Sequence, residues 1–297
     1  MVITQRVLIG NCAEILKTLP SESVDCVVTS PPYWGLRDYK TEPVEWPDEW
    51  VGQLGLEPTP QLYIQHLVGI FDEIKRVLKK TGTCWVNLGD TYGGTTKTAK
   101  SLAQIPSRFA IAMTDSGWIL RNEIIWWKRN CLPSSVKDRF TVDFEKLFFF
   151  VKSKRYYFEQ QLEVATEPIG KATKLGAKTL GGDAVLGSPA NRPDRKPFIN
   201  NGRRNKRTVW SIPTRPYKGA HFAVFPPELV ETPIKAGCPP GGVVLDPFGE
   251  SGTTSEVARR LGRASIIIEL NPDYLELVKE KARTDIPDLR SFEEVTP

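Results

Sequence analysis

The segment Thr29-Ser-Pro-Pro-Tyr-Trp34 combines groups that can hold a planar base with an exocyclic amine. Its two prolines lack backbone N–H donors and keep φ near about −65°, so a rigid loop is expected. The Ser30 hydroxyl and a backbone carbonyl can accept the hydrogens of the amine, and the rings of Tyr33 and Trp34 can stack on the base. The alternative is a Pro-Pro turn with aromatic side chains in the core.

A second segment, Leu245-Asp-Pro-Phe-Gly-Glu-Ser-Gly-Thr-Thr254, has the pattern of a strand, a glycine-containing turn and a helix. Such a turn presents backbone N–H groups and a helix N-terminus to a ligand. It is not a phosphate-binding P-loop, because no Gly-Lys-Ser/Thr follows. The next predicted strand ends at Glu269, whose carboxylate can accept hydrogen bonds from ribose hydroxyls. These features predict a nucleoside cofactor site, with an ordinary turn and a surface glutamate as the alternative.

Alternating strand-like and helix-like segments must position these residues. The apolar patterns predict strands at 24–29, 83–88, 118–128, 144–152, 242–246 and 264–270. They predict helices at 62–78, with Gly82 as a stop, and at 107–116, 253–261 and 273–283. This alternation is typical of an α/β protein with a largely parallel, doubly wound sheet.

Basic residues are concentrated between Gly170 and Lys218. This stretch contains twelve Lys or Arg and two Asp, so it carries a net charge of +10 while the rest of the chain carries −5. A basic segment on an acidic body is typical of a protein that binds a polyanion, and a solvated charged loop is the alternative. We therefore predict one α/β domain built from residues 1–154 and 219–297, interrupted by an inserted recognition region at 155–218.

The overall composition favours a soluble, cytoplasmic protein. Of 297 residues, 40% are hydrophobic and 25% are charged, which is enough apolar material for an ordered core. No apolar run approaches the roughly 20 residues of a membrane span, and the first thirty residues lack a signal-peptide pattern. Five widely spaced cysteines and two histidines argue against a disulfide framework and against a metal site.

Taken together, the motifs resemble those of S-adenosylmethionine-dependent DNA amino-methyltransferases of the β arrangement. Ser-Pro-Pro-Tyr at 30–33 comes early, Asp-Pro-Phe-x-x-Ser-Gly-Thr-Thr at 246–254 comes late, and the basic segment lies between them. Segments 121–128, 141–153 and 221–226 also stand where that family has its core motifs. The resemblance covers nearly the whole chain, and several motifs in one order are far more specific than any one of them.

The resemblance implies a Rossmann-like methyltransferase fold, with a mostly parallel, seven-stranded sheet that contains one antiparallel strand, plus an inserted target-recognition region. It implies S-adenosyl-L-methionine as cofactor and double-stranded DNA as partner. A cognate restriction endonuclease and a second copy of the chain in a homodimer are further candidate partners. The catalytic loop matches Ser30, Pro31, Pro32 and Tyr33. The cofactor site matches Asn11, Cys12, Phe222, Phe225, Asp246, Phe248, Gly249, Ser251, Gly252, Thr253 and Glu269. The candidate DNA-binding residues are Arg192, Arg195, Lys196, Arg203, Arg204, Lys206 and Arg207.

The implied reaction moves a methyl group to the exocyclic N4 of a flipped-out cytosine or to N6 of an adenine. Hydrogen bonds from the amine to the Ser30 side chain and the Pro31 carbonyl favour a pyramidal nitrogen whose lone pair faces the methyl group. Methylation at C5 of cytosine needs a cysteine nucleophile, and no cysteine lies in a Pro-Cys loop. Serine rather than Asp or Asn before Pro-Pro-Tyr favours cytosine N4 over adenine N6.

Two positions depart from the family pattern. Glu250 replaces the first glycine of Gly-Ser-Gly, which adds a charged side chain where the cofactor usually passes closely. Asn11 replaces an aspartate after Gly10, and its amide oxygen can still accept a hydrogen bond. Glu250 supports the alternative of a catalytically impaired homologue that only binds DNA. An RNA or protein methyltransferase is a third alternative, which the basic insertion disfavours.

Two smaller features remain open at the level of sequence. Trp126 and Trp127 lie on a predicted strand, where paired tryptophans pack in the core more often than they line a base pocket. Asn87 ends a predicted strand and either helps to shape the pocket or belongs to a plain turn.

Overall fold

The computed structural model describes residues 4–39, 42–93, 99–165, 202–215, 226–275, 278, 281 and the backbone of 292–295. The chain divides into two compact units, a larger one of Met1–Glu159 with Thr208–Pro297 and a smaller one of Gln160–Arg207. The smaller unit lies inside the segment 155–218 that the sequence marks as an insertion.

The described residues form the following elements. The strands are β1 (Gln5–Ile9), β2 (Val24–Thr29), β3 (Val44–Glu45), β4 (Val51–Gly52), β5 (Leu78–Leu88), β6 (Ile119–Trp127), β7 (Phe144–Val151), β8 (Leu162–Val164), β9 (Arg203–Asn205), β10 (Val209–Ser211), β11 (Val243–Asp246), β12 (Ala264–Glu269) and β13 (Phe292–Val295). The helices are α1 (Cys12–Thr18), α2 (Pro60–Val77), α3 (Ile105–Asp115), α4 (Pro227–Gly237) and α5 (Thr253–Arg260).

One large sheet organises the larger unit, with the strand order β10-β6-β7-β5-β2-β11-β12-β1-β13. β7 runs antiparallel to both of its neighbours, β5 and β6, and the other pairings of this sheet are parallel. The predicted fold class, a mostly parallel sheet with one antiparallel strand, is therefore confirmed. The short edge strands β10 and β13 extend the sheet from the seven expected strands to nine.

Helices cover both faces of this sheet. Successive residues of β2 alternate between two apolar clusters: Val27 packs with α1, α2 and α3, whereas Cys26 and Val28 pack with α4 and α5. Because successive side chains of a strand point to opposite faces, the two clusters are the two faces of a doubly wound sheet. All six residues of β2 are buried, as expected for a central parallel strand.

The boundary between α2 and β5 differs from the sequence prediction. Thr59 caps the start of α2 by accepting a hydrogen bond from the Leu62 backbone N–H at 3.2 Å, and Pro60 occupies the first turn. The helix ends at Val77 and passes directly into β5, so Gly82 lies within a strand and does not stop the helix. A Cβ atom at position 82 would lie 2.6 Å from Leu78 Cδ1, so close packing explains this glycine.

The C-terminal helix predicted at 273–283 is described only at its start. A short 3-10 turn spans Pro272–Tyr274, and most of the following residues lie outside the described part of the chain. Helices α1 and α4 were not predicted. No helix among the described residues is long and apolar enough to span a lipid bilayer.

The described part of the smaller unit is a two-stranded antiparallel pairing of β8 with β9. Glu163 on β8 accepts hydrogen bonds from the Nε atoms of Arg204 at 2.8 Å and Arg207 at 3.1 Å. Two of the basic residues of this unit therefore share one carboxylate, which offsets one of their two positive charges.

Candidate active site

Asp246 joins three elements at the carboxyl edge of the sheet. Its carboxylate accepts hydrogen bonds from Thr29 Oγ1 at 2.6 Å, Thr254 Oγ1 at 2.7 Å and the Phe248 backbone N–H at 3.2 Å. The side chain is 1% exposed, and burial raises its pKa to about 7 although the three hydrogen bonds act in the opposite direction. Asp246 thus ties the end of β2 to the turn after β11 and to the start of α5.

The turn after β11 requires two of its glycines. A Cβ atom at Gly249 would lie 2.0 Å from Ile267 Cγ2, so the backbone approaches β12 more closely than any other residue allows. Gly252 has a φ of +74° at the residue before α5. Glu250 has a φ of +41°, a left-handed conformation that is uncommon for a residue with a side chain.

A first cavity, of about 90 Å³, lies at this turn and extends to the end of β12 and the loop after β1. Its walls include Asn11, Cys12, Pro32, Phe248, Ile268 and Glu269. Four of the predicted cofactor-binding residues therefore meet here: Asn11, Cys12, Phe248 and Glu269.

Glu269 supplies a buried carboxylate to the first cavity. Its Oε1 accepts a hydrogen bond from the Asn271 backbone N–H at 2.8 Å, and burial raises its pKa to about 7. The Asn11 side chain caps α1 by accepting from the Ala13 backbone N–H at 3.0 Å. Burial raises the pKa of the Cys12 thiol to about 12, so this thiol is neutral.

Two aromatic side chains tie the Ser-Pro-Pro-Tyr loop and the residue after it to neighbouring segments through hydrogen bonds. The hydroxyl of Tyr63, a fully buried residue of α2, donates to the Pro32 carbonyl at 2.7 Å. The Trp34 indole N–H donates to the Glu57 carbonyl at 2.8 Å, and its ring packs against the core. Trp34 lines neither the first cavity nor the second one described below, which differs from its predicted place on the target base.

A second cavity, of about 120 Å³, lies on the other side of the loop. The residues around it are Ser30, Pro31, Tyr33, Leu36, Arg37, Tyr39, Asn87, Trp126, Lys128, Glu145, Thr214, Arg215 and Glu250. Pro31 faces this cavity and Pro32 faces the first one, so the loop forms part of both walls. Tyr39 and Glu250 also line both cavities, which makes them the boundary between the two.

Tyr33 is the centre of a hydrogen-bonded chain in the second cavity. Its phenol oxygen lies 3.4 Å from Ser30 Oγ, 3.0 Å from Asn87 Oδ1 and 2.8 Å from Glu145 Oε2, and Glu145 forms an ion pair with Lys128. Burial, with the nearby Glu145 carboxylate, raises the pKa of Tyr33 well above its ordinary value, so the phenol keeps its proton. The Tyr33 ring packs against Gly89, where a Cβ atom would lie 2.5 Å from Tyr33 Cε2.

Trp126 packs in the core, as the sequence pattern favoured, and together with Lys128 it also lines the second cavity. The Trp126 ring is 4% exposed, its indole N–H donates to the Ile212 carbonyl at 2.8 Å, and it forms part of the wall of the second cavity. The Lys128 ammonium lies 4.5 Å from the centre of this ring. Trp127, its neighbour, is 41% exposed and lines neither cavity, so the core position favoured by the sequence is wrong for this residue.

The other predicted cofactor residues support the turn rather than line the first cavity. Asp246, Gly249 and Gly252 hold its backbone, as described above. Lys281 Nζ donates to Ser251 Oγ at 2.9 Å and to Thr253 Oγ1 at 3.3 Å, so both hydroxyls contact the chain beyond β12. Phe222 and Phe225 lie outside the described residues.

Of the predicted DNA-binding residues, four are described and all belong to the smaller unit: Arg203, Arg204, Lys206 and Arg207. Arg203 is exposed, whereas Arg204 and Arg207 share Glu163. Arg192, Arg195 and Lys196 lie outside the described residues. Within the described ranges, no cluster of three or more His, Cys, Asp or Glu residues could hold a metal ion.

Several site residues carried no strong sequence signal. Glu145 and Lys128 look like ordinary surface charges near strand ends, and Tyr39 lies in a loop without a motif. Asn87 was identifiable only as a polar residue at the end of a strand. The antiparallel pairing of β7 with β5 and β6 brings Glu145 opposite Trp126 and beside Asn87.

The doubly wound, mostly parallel sheet with one antiparallel strand is a Rossmann-like methyltransferase fold, and the two adjoining cavities lie at its carboxyl edge. The chain belongs to the DNA methylase family of N6 and N4 methyltransferases, whose family model matches residues 24–280.

Curated relatives match along almost the whole chain. The Type II methyltransferase M.SmaI of Serratia marcescens is 38% identical over 93% of this chain and 90% of its own length. The Type II methyltransferase M.XycI of Xanthomonas campestris pv. cyanopsidis is 38% identical over 92% of this chain and 85% of its own.

Solved structures share the fold. The PvuII DNA methyltransferase, described as cytosine-N4-specific, superposes with a TM-score of 0.67 at 21% identity, covering 98% of this chain and 91% of its own. A second structure is that of a Thermus thermophilus protein described as a putative DNA modification methylase and solved in complex with S-adenosyl-L-methionine. It superposes with a TM-score of 0.63 at 24% identity, covering 98% of this chain and 99% of its own.

Proposed function

We propose that this DNA methyltransferase moves the methyl group of S-adenosyl-L-methionine to the exocyclic N4 of a cytosine flipped out of double-stranded DNA. The observation that carries the proposal is the pair of adjoining cavities. One holds a buried carboxylate at a strand end, and the other is lined by the Ser-Pro-Pro-Tyr loop.

The side chains that line the first cavity fit the nucleoside part of the cofactor. Glu269 offers an acceptor for ribose hydroxyls, and its own Oε1 is oriented by the Asn271 backbone N–H. Phe248, Ile268 and Leu270 supply apolar contact area for the flat adenine. When bound, the cofactor supplies an electrophilic methyl group on a positively charged sulfur.

The second cavity supports activation of an amine through Ser30. The Ser30 hydroxyl donates towards the Tyr33 oxygen, and the Tyr33 phenol donates in turn to Glu145 or Asn87. This direction of donation leaves the Ser30 lone pairs available to accept a hydrogen from an exocyclic amine. An amine held in this way loses conjugation with its ring and presents its lone pair for in-line attack.

The choice of cytosine over adenine rests on two supports. The loop carries Ser30 rather than an aspartate or asparagine before Pro-Pro-Tyr, and the PvuII neighbour is described as cytosine-N4-specific. Adenine N6 is the alternative product, because both bases present the same amino group to the loop.

The inserted region at 155–218 is proposed to read the DNA target. Its basic charge supports phosphate contacts, and Arg203 is an exposed cation in the described part of it. The Type II names of the curated relatives support a role in protecting DNA from a cognate restriction endonuclease.

Mass spectrometry of nucleosides tests this function. The wild-type chain and a Ser30→Ala variant are expressed in methylation-deficient cells, and plasmid DNA is digested to nucleosides. We expect N4-methylcytosine in the wild-type sample and a strong decrease in the variant. N6-methyladenine instead would show that adenine is the target base. The absence of both modified nucleosides would contradict the proposed methyltransferase activity.

A further inference from the structure

Glu250 occupies an unusual place in the site. It lines both cavities, as Tyr39 does, and so lies at the boundary between them. Its φ of +41° is a conformation in which a residue with a side chain is strained, and such strain persists where the surrounding structure imposes it. The sequence pattern alone suggested that this glutamate obstructs a glycine-lined turn. The structure instead places this residue at the boundary between the first and second cavities.

We propose that the Glu250 carboxylate accepts the proton that the target amine loses when it is methylated. The inference rests on the proposed amino-methyltransferase function. The amine nitrogen uses its lone pair to form the new N–C bond, the S–C bond breaks, and its electron pair stays on sulfur. The nitrogen then carries one proton too many, which passes to Glu250 and from there to solvent.

Charged and titratable groups surround Glu250 from each packed element. Tyr33, Arg37 and Tyr39 approach from the loop after β2, Asp246 from β11, Glu269 from β12, and Lys281 from beyond β12. Burial raises the pKa of Glu250 to about 8, Asp246 and Glu269 act in the same direction, and Arg37 and Lys281 oppose them.

This environment couples the protonation of Glu250 to cofactor binding. Without ligand, the raised pKa keeps the carboxyl group largely protonated at neutral pH. A cation bound beside it favours the charged carboxylate and releases the proton. The sulfonium of the cofactor would therefore convert Glu250 into a proton acceptor before the amine reacts.

The other groups of the second cavity suit this task less well. Glu145 already accepts from Tyr33 and is paired with Lys128, and it does not line the first cavity. The Ser30 hydroxyl is a weak base. Glu250 is the carboxylate that the described walls of both cavities share.

Calorimetry of ligand binding provides a test that does not depend on activity. Binding heats are measured in two buffers of different ionisation enthalpy, with S-adenosyl-L-methionine and with S-adenosylhomocysteine, whose sulfur is uncharged. We expect the wild type to release more protons with the sulfonium ligand than with the thioether. Glu250→Gln should lose this difference, because an amide cannot titrate. Glu73→Gln, on α2 and part of neither cavity, should retain the difference.

Single-turnover methylation of duplex DNA completes the test. We expect the wild-type rate to rise with pH as Glu250 ionises, and Glu250→Gln and Glu250→Gly to be slower by about a hundredfold with that rise removed. Glu250→Asp should recover part of the rate, which a purely structural role would not explain.

Two results would overturn the inference: a Glu250→Gln enzyme with the wild-type rate and pH profile, or a defect confined to cofactor affinity. A wild-type chain that fails to methylate DNA would instead contradict the proposed function. The proton-release comparison would still show whether Glu250 faces the cofactor sulfur.

Discussion

The Tyr33 phenol oxygen lies 2.8 Å from the Glu145 carboxylate and connects the loop after β2 to the beginning of the antiparallel strand β7. The ion pair with Lys128 holds the Glu145 carboxylate in place, and the Ser30 hydroxyl donates to the phenol from its other side. The phenol is therefore held between the carboxylate and the hydroxyl. Two strands that are distant in sequence therefore determine the direction in which the Ser30 hydroxyl points.

Replacing Tyr33 with phenylalanine should slow methyl transfer without unfolding the protein. The variant loses the acceptor that orients Ser30, so we expect kcat to fall by about tenfold to a hundredfold, with stability lowered by about 1 kcal/mol. Single-turnover rates and urea unfolding measure the two effects. Tyr157→Phe removes an exposed hydroxyl that contacts Glu159 and is the matched control. Equal rates for both variants would contradict the role of the Tyr33 hydroxyl.

Removing the Glu269 carboxylate should weaken binding of the cofactor. Glu269→Ala deletes the buried acceptor at the end of β12, and one lost hydrogen bond to a charged group corresponds to about tenfold or more in Kd. Quenching of tryptophan fluorescence by S-adenosyl-L-methionine provides the measurement. Glu73→Ala, which removes a carboxylate paired with Arg76 on α2, should leave Kd unchanged. Unchanged affinity in the Glu269 variant would show that this carboxylate does not bind the ribose.

The buried carboxyl groups should make the ligand-free protein less stable as the pH rises. The pKa of Asp246 is raised from 3.8 to about 7 and that of Glu269 from 4.5 to about 7, in each case chiefly by burial. The folded state thus keeps protons that the unfolded state has lost. This stabilisation is fully present below about pH 4 and is lost as the pH rises through about 7.

Urea unfolding between pH 5 and pH 8 measures this loss, whose slope approaches about 1.4 kcal/mol per pH unit for each group. Asp246→Asn should reduce the slope, whereas Asp115→Asn, at the exposed end of α3, should not. A slope that is the same in wild type and Asp246→Asn would show that Asp246 does not titrate in this range.

Glycine at position 249 should be indispensable for the turn. Gly249→Ala would place a Cβ atom 2.0 Å from Ile267 Cγ2 on β12, so we expect destabilisation by about 1–3 kcal/mol and weaker cofactor binding. Gly69→Ala on α2 is the matched control, because a Cβ atom there meets nothing within 4 Å. That substitution should be neutral or stabilising by up to about 1 kcal/mol. Thermal unfolding compares the two variants, and similar midpoints would show that the turn tolerates a side chain.

Much of the fold and part of the site could be predicted from the sequence. The buried strands β2, β11 and β12 stand out as apolar runs bounded by turn residues, and the chemistry-bearing segments follow them directly. Because parallel strands end at one edge of a sheet, the sequence alone predicts that Ser30 and Glu269 lie at the same edge.

The contacts of Glu145 and Trp126 depended on tertiary structure. These residues meet because β7 runs antiparallel, so its first residues lie at the same edge as the last residues of β6. No local pattern in a strand records which neighbour it will pair with or in which direction. The pairing is decided by how the whole chain buries its apolar faces.

Glu250 shows the same division between local sequence and tertiary structure. From the residues alone, Glu250 is a charged side chain in a glycine-rich turn, where it would be expected to hinder close approach of the cofactor. That Glu250 borders both cavities follows from the packing of this turn against β12 and the loop after β2. Local propensity determines which residues a turn contains, whereas the space that a side chain occupies is set by elements far away in the chain.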